Sequence, residues 1–480
     1  MKSIIVKHSH LELPEYILGD CPKLEKSLSY WDPNIYKYIP AGYEYDLENE
    51  ILYVPRGLDI NFVAKLTGRK LEVKKDENKP AVANIKLLSK PRDDNQVKGI
   101  NFLVGLEEFS DTVNYSQKVL ILPPGTGKTF ISIASFSMLR EKAIVITHLN
   151  RISLQWIESL KKFTQITDDD IYIFEGSKSI TKLLEEYKKN KVIPYKLFFA
   201  NHATILSYGD RHGWDKVNEL FEIIKVGIKI FDEAHLNFAN ILRIDFHTNV
   251  KKTFYLTATF RRTDQKVQKV FDIAFKNVRK YGTELKVERK HINYVINYFN
   301  SKPPTALKYS FHGNRGFKIH PYSNYLVENE IFYNALYKLL DQFTTFEGSV
   351  LILVASIEGC NLVKSYVQNR YPDENVTVLH SKVDKDKREL AMEGSIIIST
   401  IQSFGTGVDL RGLRFCINTV PYSSTVTADQ LSGRLREYDS ELYSIYVDMI
   451  DKGFVEIESM RKRRHKVLAD KCNSISILNS

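Results

Sequence analysis

The chain holds 480 residues, 43% of them hydrophobic and 26% charged, enough for two or three globular domains with cores of their own. No apolar run approaches the roughly 20 residues that cross a bilayer, and the run from Ser3 to Val6 is too short for a secretory signal. The expected place is therefore the cytoplasm, that of a host cell if the chain is viral. A formal charge of +10 permits a polyanionic partner as readily as a solvated, lysine-rich surface.

Residues 1–90 read as a small domain of their own. GYEYDLENEILYVPRGL (42–58) alternates and turns like a compact antiparallel β unit, and DINFVAKLTGRKL (59–71) has the pattern of a short helix. The charged run KKDENKP (74–80) reads as a linker. From residue 118, five apolar runs recur between helix-length polar stretches: KVLIL (118–122), AIVIT (143–147), KLFFA (196–200), IKIFD (228–232) and TFYLT (253–257). Runs that are apolar throughout predict strands covered on both faces, as in parallel sheets flanked by helices. Residues 91–280 are thus expected to form one α/β domain. Residues 281–345, which include SKPPTALKYSFHGNRGF (301–317), read as an insertion or linker. A second series, SVLILVA (349–355), VTVLH (376–380), SIIIST (395–400), FCINTV (415–420) and YSIYVDMI (443–450), predicts another α/β domain over 346–480. The expected fold is α/β, two tandem doubly wound parallel-sheet domains behind a small α+β N-terminal domain. MRKRRHK (460–466) fits a phosphate-binding tail or a solvated helix end equally well. The cysteines Cys21, Cys360, Cys416 and Cys472 form no CxxC pair, which argues against a zinc site or disulfide framework.

ILPPGTGKTF (121–130) lies between a predicted strand and the apolar helical pattern ISIASFSML (131–139), the setting a phosphate-binding loop needs. Across Pro124, Gly125, Thr126 and Gly127, the glycines let backbone N–H groups turn toward a phosphate. Lys128 reaches the β/γ oxygens, and the Thr129 hydroxyl is offered to Mg²⁺. Leu122 stands where the strict pattern has glycine. IKIFDEAH (228–235) ends a strand in two carboxylates. Asp232 is expected to hold Mg²⁺ through water and Glu233 to polarise the attacking water. An acidic pair at a strand end is often only a helix cap, and the loop upstream favours the catalytic roles. ATP and Mg²⁺ are the expected cofactors.

Four segments in this order, GTGKT (125–129), DEAH (232–235), LTATF (256–260) and QLSGR (430–434), resemble motifs I, II, III and VI of superfamily 2 helicases and translocases. The likeness spans roughly residues 90–455 and implies two RecA-like domains that clasp ATP. PRDDNQ (91–96) is similar to the Q-motif region, with Gln96 on the adenine edge. LNRISLQW (149–156) is similar to motif Ia, and FFANHATIL (198–206) to motif Ib. TIQSFGTGVDL (400–410) resembles motif V, which implies Gly407 and Asp409 at the nucleotide cleft. The layout is most similar to phage recombination helicases of the UvsW kind. Transcript-release helicases and restriction-enzyme motor subunits share the core.

The resemblance implies an ATP-dependent DNA helicase or translocase that remodels branched DNA. Its partner is branched or duplex DNA, with an RNA–DNA hybrid as the alternative, no membrane, and a monomer as the working form. A transcript-release motor with the same ATPase, and a nucleotide-gated scaffold that hydrolyses poorly, are the rivals. Arg434 and Arg436 are implied opposite the phosphate loop. The family's second arginine falls where this chain has Glu437, so Arg436 comes one residue early. On a helix that is about 100° of rotation, and Arg434 is expected to carry the γ-phosphate contact. His235, Thr257 and Thr259 are implied as coupling residues. The implied nucleic-acid track takes Asn150, Arg151 and Gln155 near motif Ia, His202 and Thr204 in motif Ib, and Arg261 and Arg262 after LTAT. On the second domain it takes Ser356, Thr400 and Gln402. Trp156 is expected in the core.

Overall fold

The computed structural model describes residues 2–73, 79–113, 115–123, 125–258, 260, 265–282, 289–313, 316–405, 410, 412–435 and 442–480. It divides into two units, Met1–Leu285 and Lys286–Ser480. The first opens with a five-stranded mixed sheet in the order Glu44–Asp46, Ile51–Pro55, His10–Leu13, Ser3–Val6, Lys70–Val73. The stretch 42–58 does form an antiparallel pair, Tyr45 beside Leu52. Ile60–Thr67 is the expected helix, begun by Asp59 Oδ1 accepting from Phe62 N–H at 3.2 Å and ended by Gly68 at φ +64°. A separate hairpin pairs Ser29–Asp32 with Lys37–Pro40.

Seven strands then build a parallel sheet: β1 (Gln117–Ile121), β2 (Ala143–Thr147), β3 (Ile171–Phe174), β4 (Leu197–Asn201), β5 (Ile228–Phe231), β6 (Lys252–Thr257) and β7 (Arg279–Tyr281). Their order is β3-β4-β2-β5-β6-β1-β7. Alternate residues serve the two faces. Val119, Ile144 and Phe198 join one apolar cluster, while Leu120, Val145 and Phe199 join the other. That is why the runs read as apolar throughout.

The second unit repeats this plan with β8 (Arg289–Phe299), β9 (Ser349–Val354), β10 (Val376–Leu379), β11 (Ile396–Thr400), β12 (Leu413–Asn418), β13 (Ser444–Asp451) and β14 (Cys472–Asn479), all parallel. The order is β10-β11-β9-β12-β13-β8-β14, the first sheet's order strand for strand. Much of the stretch expected as an insertion, 281–345, is built into this unit. Its β8 is paired on both sides, and Glu330–Phe343 is a helix that buries Phe332, Leu336, Leu339 and Leu340 in the core.

The N-terminal sheet is fastened to the first α/β layer by buried polar groups. Ser9 Oγ donates to Thr248 O at 2.7 Å, His10 Nδ1–H to Asp245 O at 3.0 Å, and Gln117 Nε2–H to both Ser9 O at 2.9 Å and Tyr255 Oη at 2.8 Å. Asp245 and Lys229, both buried, pair at 2.5 Å. Lys229 also donates to Thr248 O at 3.0 Å, and Tyr255 Oη to Asp245 Oδ2 at 2.5 Å, so these groups form one linked buried network. In MRKRRHK, two of the arginines turn inward and are neither tail nor solvated end. Arg461 pairs with Glu458, and Arg464, 0% exposed, donates through Nε to Asp448 Oδ2 at 3.0 Å and through a terminal nitrogen to Tyr422 O.

Candidate active site

The strand order sets β5, β6 and β1 side by side, with Ile121 beside Thr257 and Phe231 beside Tyr255. Backbone bonds carry the registry past the strand ends. Leu122 N–H donates to Thr257 O at 3.0 Å, Ala234 N–H to Leu256 O at 2.9 Å, and Asp232 N–H to Ile146 O at 3.1 Å. The GKT, DEAH and LTAT segments therefore meet at the carboxyl edge of one sheet, where open α/β sheets bind ligands.

Helix α1 (Lys128–Leu139) starts directly after the loop, so its free N–H groups and positive dipole end face whatever the loop encloses. Lys128 Nζ donates to Leu122 O at 2.8 Å, and Thr126 Oγ1 to Pro123 O at 2.7 Å. Thr129 is half-buried in the first turn. Gly127 has φ +91°, and a Cβ there would lie 2.3 Å from Gln96 Nε2. The positive φ is what favours glycine here. Gln96 is only 4% exposed, its Oε1 accepting from Arg92 N–H at 2.8 Å and its Nε2 donating to Thr126 O at 3.2 Å. Its amide ties the 91–96 turn to the underside of the loop.

Asp232 Oδ2 accepts from Trp156 Nε1–H at 2.8 Å and Oδ1 from Glu233 N–H at 2.9 Å. Burial, and then the Glu233 charge, push the Asp232 pKa up, while Trp156, the Lys128 charge and the Glu233 N–H pull the other way. Trp156 is core, as expected, and it also holds the carboxylate, a role that no local pattern signals. Glu233 sits at φ +50°, a left-handed conformation that costs a non-glycine residue about 1 kcal/mol or more. Its Oε2 is buried without a hydrogen-bond donor among the described residues and lies 3.4 Å from His235 Nδ1. His235 Nδ1 shares a 2.9 Å hydrogen bond with Thr257 Oγ1. A carboxylate with an unspent oxygen, carried on a left-handed backbone, suits a site that engages something beyond the chain. Among the described residues no group of three or more His, Cys, Asp or Glu forms a metal cage. Thr129 and Asp232 fit Mg²⁺ held mostly through water and substrate phosphates.

In the second unit, Arg434 is half-buried and follows a helix that ends at Ser432. Its N–H donates to Leu431 O at 3.1 Å, and the next carbonyl, Leu435 O, accepts from His291 Nε2–H at 2.9 Å. Gly433 ends the helix before Arg434, and Arg436, the arginine to which the helical-rotation argument applies, lies outside the described residues. Pro124, Thr259, Arg261, Arg262, Gly407, Asp409 and Arg436 lie outside the described residues, as does the Arg151 side chain.

The profile of the family "Type III restriction enzyme, res subunit" matches residues 94–262, and that of "Helicase conserved C-terminal domain" matches 332–437. The chain belongs to helicase superfamily 2. Curated relatives include the "DNA 3'-5' helicase XPB" of Kineococcus radiotolerans, 25% identical over 160 residues, which are 33% of this chain and 26% of the relative. The same-named protein of Mycobacterium tuberculosis is 27% identical over 156 residues, 32% of this chain and 26% of that one. The chain thus spans about a quarter of these relatives' length. Among solved structures, Saccharomyces cerevisiae Dbp5 bound to RNA and ADP BeF3 (L327V form) matches with TM-score 0.51 at 16% identity, over 81% of this chain and 94% of that one. The crystal structure of T4 UvsW matches with TM-score 0.38 at 15% identity, over 99% of each chain.

Within this helicase core the residues expected on the nucleic-acid track fall into two groups. Asn150, exposed at the start of helix α2 (Asn150–Phe163), accepts through Oδ1 from Asn201 Nδ2 at 2.6 Å, and Gln155 is half-buried on the same helix. Asn201 escaped the sequence reading, although it sits in the quoted motif Ib segment. His202 and Thr204, by contrast, are 3% and 6% exposed, inside the fold and not on a phosphate-facing surface. The His202 ring lies 5.9 Å from that of Phe231, neither ring nitrogen has a hydrogen-bond partner among the described residues, and burial lowers its pKa to about 4. Ser356 and Thr400 act as helix caps: Ser356 Oγ accepts from Gly359 N–H at 3.0 Å, and Thr400 Oγ1 from Ser403 N–H at 3.2 Å. Gln402 is exposed.

Proposed function

We propose that the chain is an ATP-driven motor on DNA, a helicase or translocase that remodels branched or duplex DNA. The observation that carries this reading is the meeting of Lys128, Asp232 and Glu233 on adjoining loops of one sheet edge, with Glu233 strained and one of its oxygens unspent. Lys128 takes up charge on the β- and γ-phosphates. Glu233 orients and polarises the attacking water, and Arg434 stabilises charge on the transferred phosphoryl group. Thr129 and Asp232 would hold Mg²⁺, which when bound neutralises phosphate charge. The His235–Thr257 hydrogen bond joins the loop bearing Glu233 to the end of β6, a route by which the state of the nucleotide reaches the segment after LTAT.

The names of the curated relatives, DNA 3'-5' helicases, favour DNA over RNA as the track. The test compares ATP turnover and strand displacement on forked DNA, blunt duplex, Holliday junctions and RNA–DNA hybrids. Turnover stimulated by branched DNA, with displacement, is the expected result. Stimulation by RNA alone would make the chain a transcript-release motor. Nucleic-acid binding without stimulated turnover would make it a scaffold.

A further inference from the structure

We propose that the hairpin of Ser29–Asp32 and Lys37–Pro40 is a stacking platform for unpaired nucleic-acid bases; this rests on the motor reading above. The hairpin has one face committed and one bare. On the inner side Tyr30 packs against the core of the first α/β layer, and a Cβ on Gly42, just past the second strand, would lie 2.9 Å from Val270 Cγ1. Val270 belongs to the helix Gln265–Ala274, which follows LTAT and the basic pair Arg261 and Arg262. The hairpin is therefore mounted on the element that leaves the nucleotide site.

The outer side shows rings to solvent. Trp31 is 41% exposed, Tyr38 50% and Tyr36 79%. Trp31 and Tyr38 are cross-strand partners with centroids 5.2 Å apart, and Tyr36 lies 6.4 Å from Trp31. Single exposed apolar residues are ordinary, but three touching rings on one hairpin are not. Tyr36 adds an independent sign. It sits at φ +51° in the turn, a conformation that glycine or asparagine adopts at lower cost. The fold gains little from a ring there, since most of it is in solvent. A ring held there in solvent is open to a partner outside the chain.

The surrounding charge selects the partner. Lys26 Nζ lies 5.7 Å from the Tyr38 ring centroid, Lys37 is exposed on the hairpin, and Lys269 is exposed on the supporting helix. Asp32 is engaged by Asn34, whose backbone N–H and Nδ2 both donate to its Oδ1. Aromatic faces among cations suit bases joined by phosphates, where stacking is sequence-tolerant and cations meet the backbone.

The test uses the full chain, a forked DNA with single-stranded arms, and a blunt duplex of the same length. Trp156 is buried and Trp214 is stacked on His247, so a Trp214→Phe background leaves Trp31 as the exposed reporter. Single-stranded DNA should quench its fluorescence. Tyr36→Gly should keep or raise the melting temperature and keep duplex-stimulated ATP turnover. It should weaken fork binding by about fivefold or more, the effect of losing one base stack, and Trp31→Ala with Tyr36→Ala should weaken it further. Fork affinity within twofold of wild type in both variants, with no Trp31 quenching, would overturn the proposal. So would a variant that loses self-association or a protein partner while keeping its preference for forks. A wild-type chain that no nucleic acid stimulates would instead bring down the motor reading, and this inference with it.

Discussion

Trp156→Phe isolates one hydrogen bond at the nucleotide site. The ring stays aromatic in a core position that is 1% exposed, while the N–H that Asp232 Oδ2 accepts at 2.8 Å is removed. A hydrogen bond to a charged group contributes about 1.5–3 kcal/mol, so its loss should push the Asp232 pKa further up. Burial and the neighbouring Glu233 already hold that pKa above the ordinary carboxylate value. At a given pH more Asp232 is then protonated, and a protonated carboxylate is a poor Mg²⁺ ligand. The acidic limb of the ATP-turnover profile should shift to higher pH. The Mg²⁺ concentration for half-maximal turnover should rise at neutral pH and return toward wild type as pH increases. Turnover against pH at fixed Mg²⁺, and against Mg²⁺ at two pH values, reads both. Damage to packing alone lowers activity without rescue at high pH. An unmoved acidic limb and an unchanged Mg²⁺ requirement would refute the assignment of Asp232 as the metal-facing carboxylate held by Trp156.

Glu233→Gln should leave ATP affinity near wild type in an equilibrium titration while turnover falls by orders of magnitude; lost binding would make Glu233 structural. Arg434→Ala should cut turnover by about 10³-fold, the scale of an arginine finger, with DNA affinity little changed. Arg436→Ala should cost far less, and equal losses would make Arg436 the finger. For His202, the folded-state pKa of about 4 lies below the ordinary 6.5, so the unfolded chain takes up the proton first. Stability should fall as pH drops through 6.5 toward 4, by ~2 kcal/mol at pH 5. His202→Phe should flatten that slope in denaturant titrations, and an unchanged slope would show that the imidazole is not held neutral.

Much of both sheets was legible because β1, β2, β5, β9 and β12 are buried almost end to end, which forces uninterrupted apolar runs. β3 and β7 passed unread as strands of four and three residues, the second with two basic residues in RKY. β8 was missed for a different reason. Asn293 and Asn297 break its apolar run, yet Asn297 is 0% exposed, its Oδ1 accepting from Ser480 Oγ at 2.8 Å. Periodicity weighs such an amide as a surface residue, and only the long-range partner shows otherwise. The P-loop and DEAH residues were legible from spacing because their contacts are local or lie at predicted strand ends. The Gln96–Thr126 and Trp156–Asp232 bonds join segments 30 and 76 residues apart, and no local pattern carries them.

The repeated strand order gives a sharper test of what an acidic strand end means. β6 and β13 occupy the same place in their sheets, as do β1 and β8. In the second unit β13 ends in Asp451, a buried carboxylate whose likeness to the end of IKIFDE, which follows β5, is one of pattern and not of position. Its oxygens are fully engaged: Ser301 N–H donates to Oδ1 at 3.2 Å and Gly453 N–H at 2.9 Å, while Tyr322 Oη donates to Oδ2 at 3.2 Å and the Ser301 hydroxyl donates there too. Ser301 opens the turn after β8, where the first unit has its phosphate loop after β1. The end of β13 is thus met by a self-satisfied network, and a self-satisfied carboxylate has no capacity left for a ligand. Glu233 differs in its unspent oxygen and its left-handed backbone. One architecture therefore carries both cases, and hydrogen-bond satisfaction separates the structural carboxylate from the one suited to catalysis.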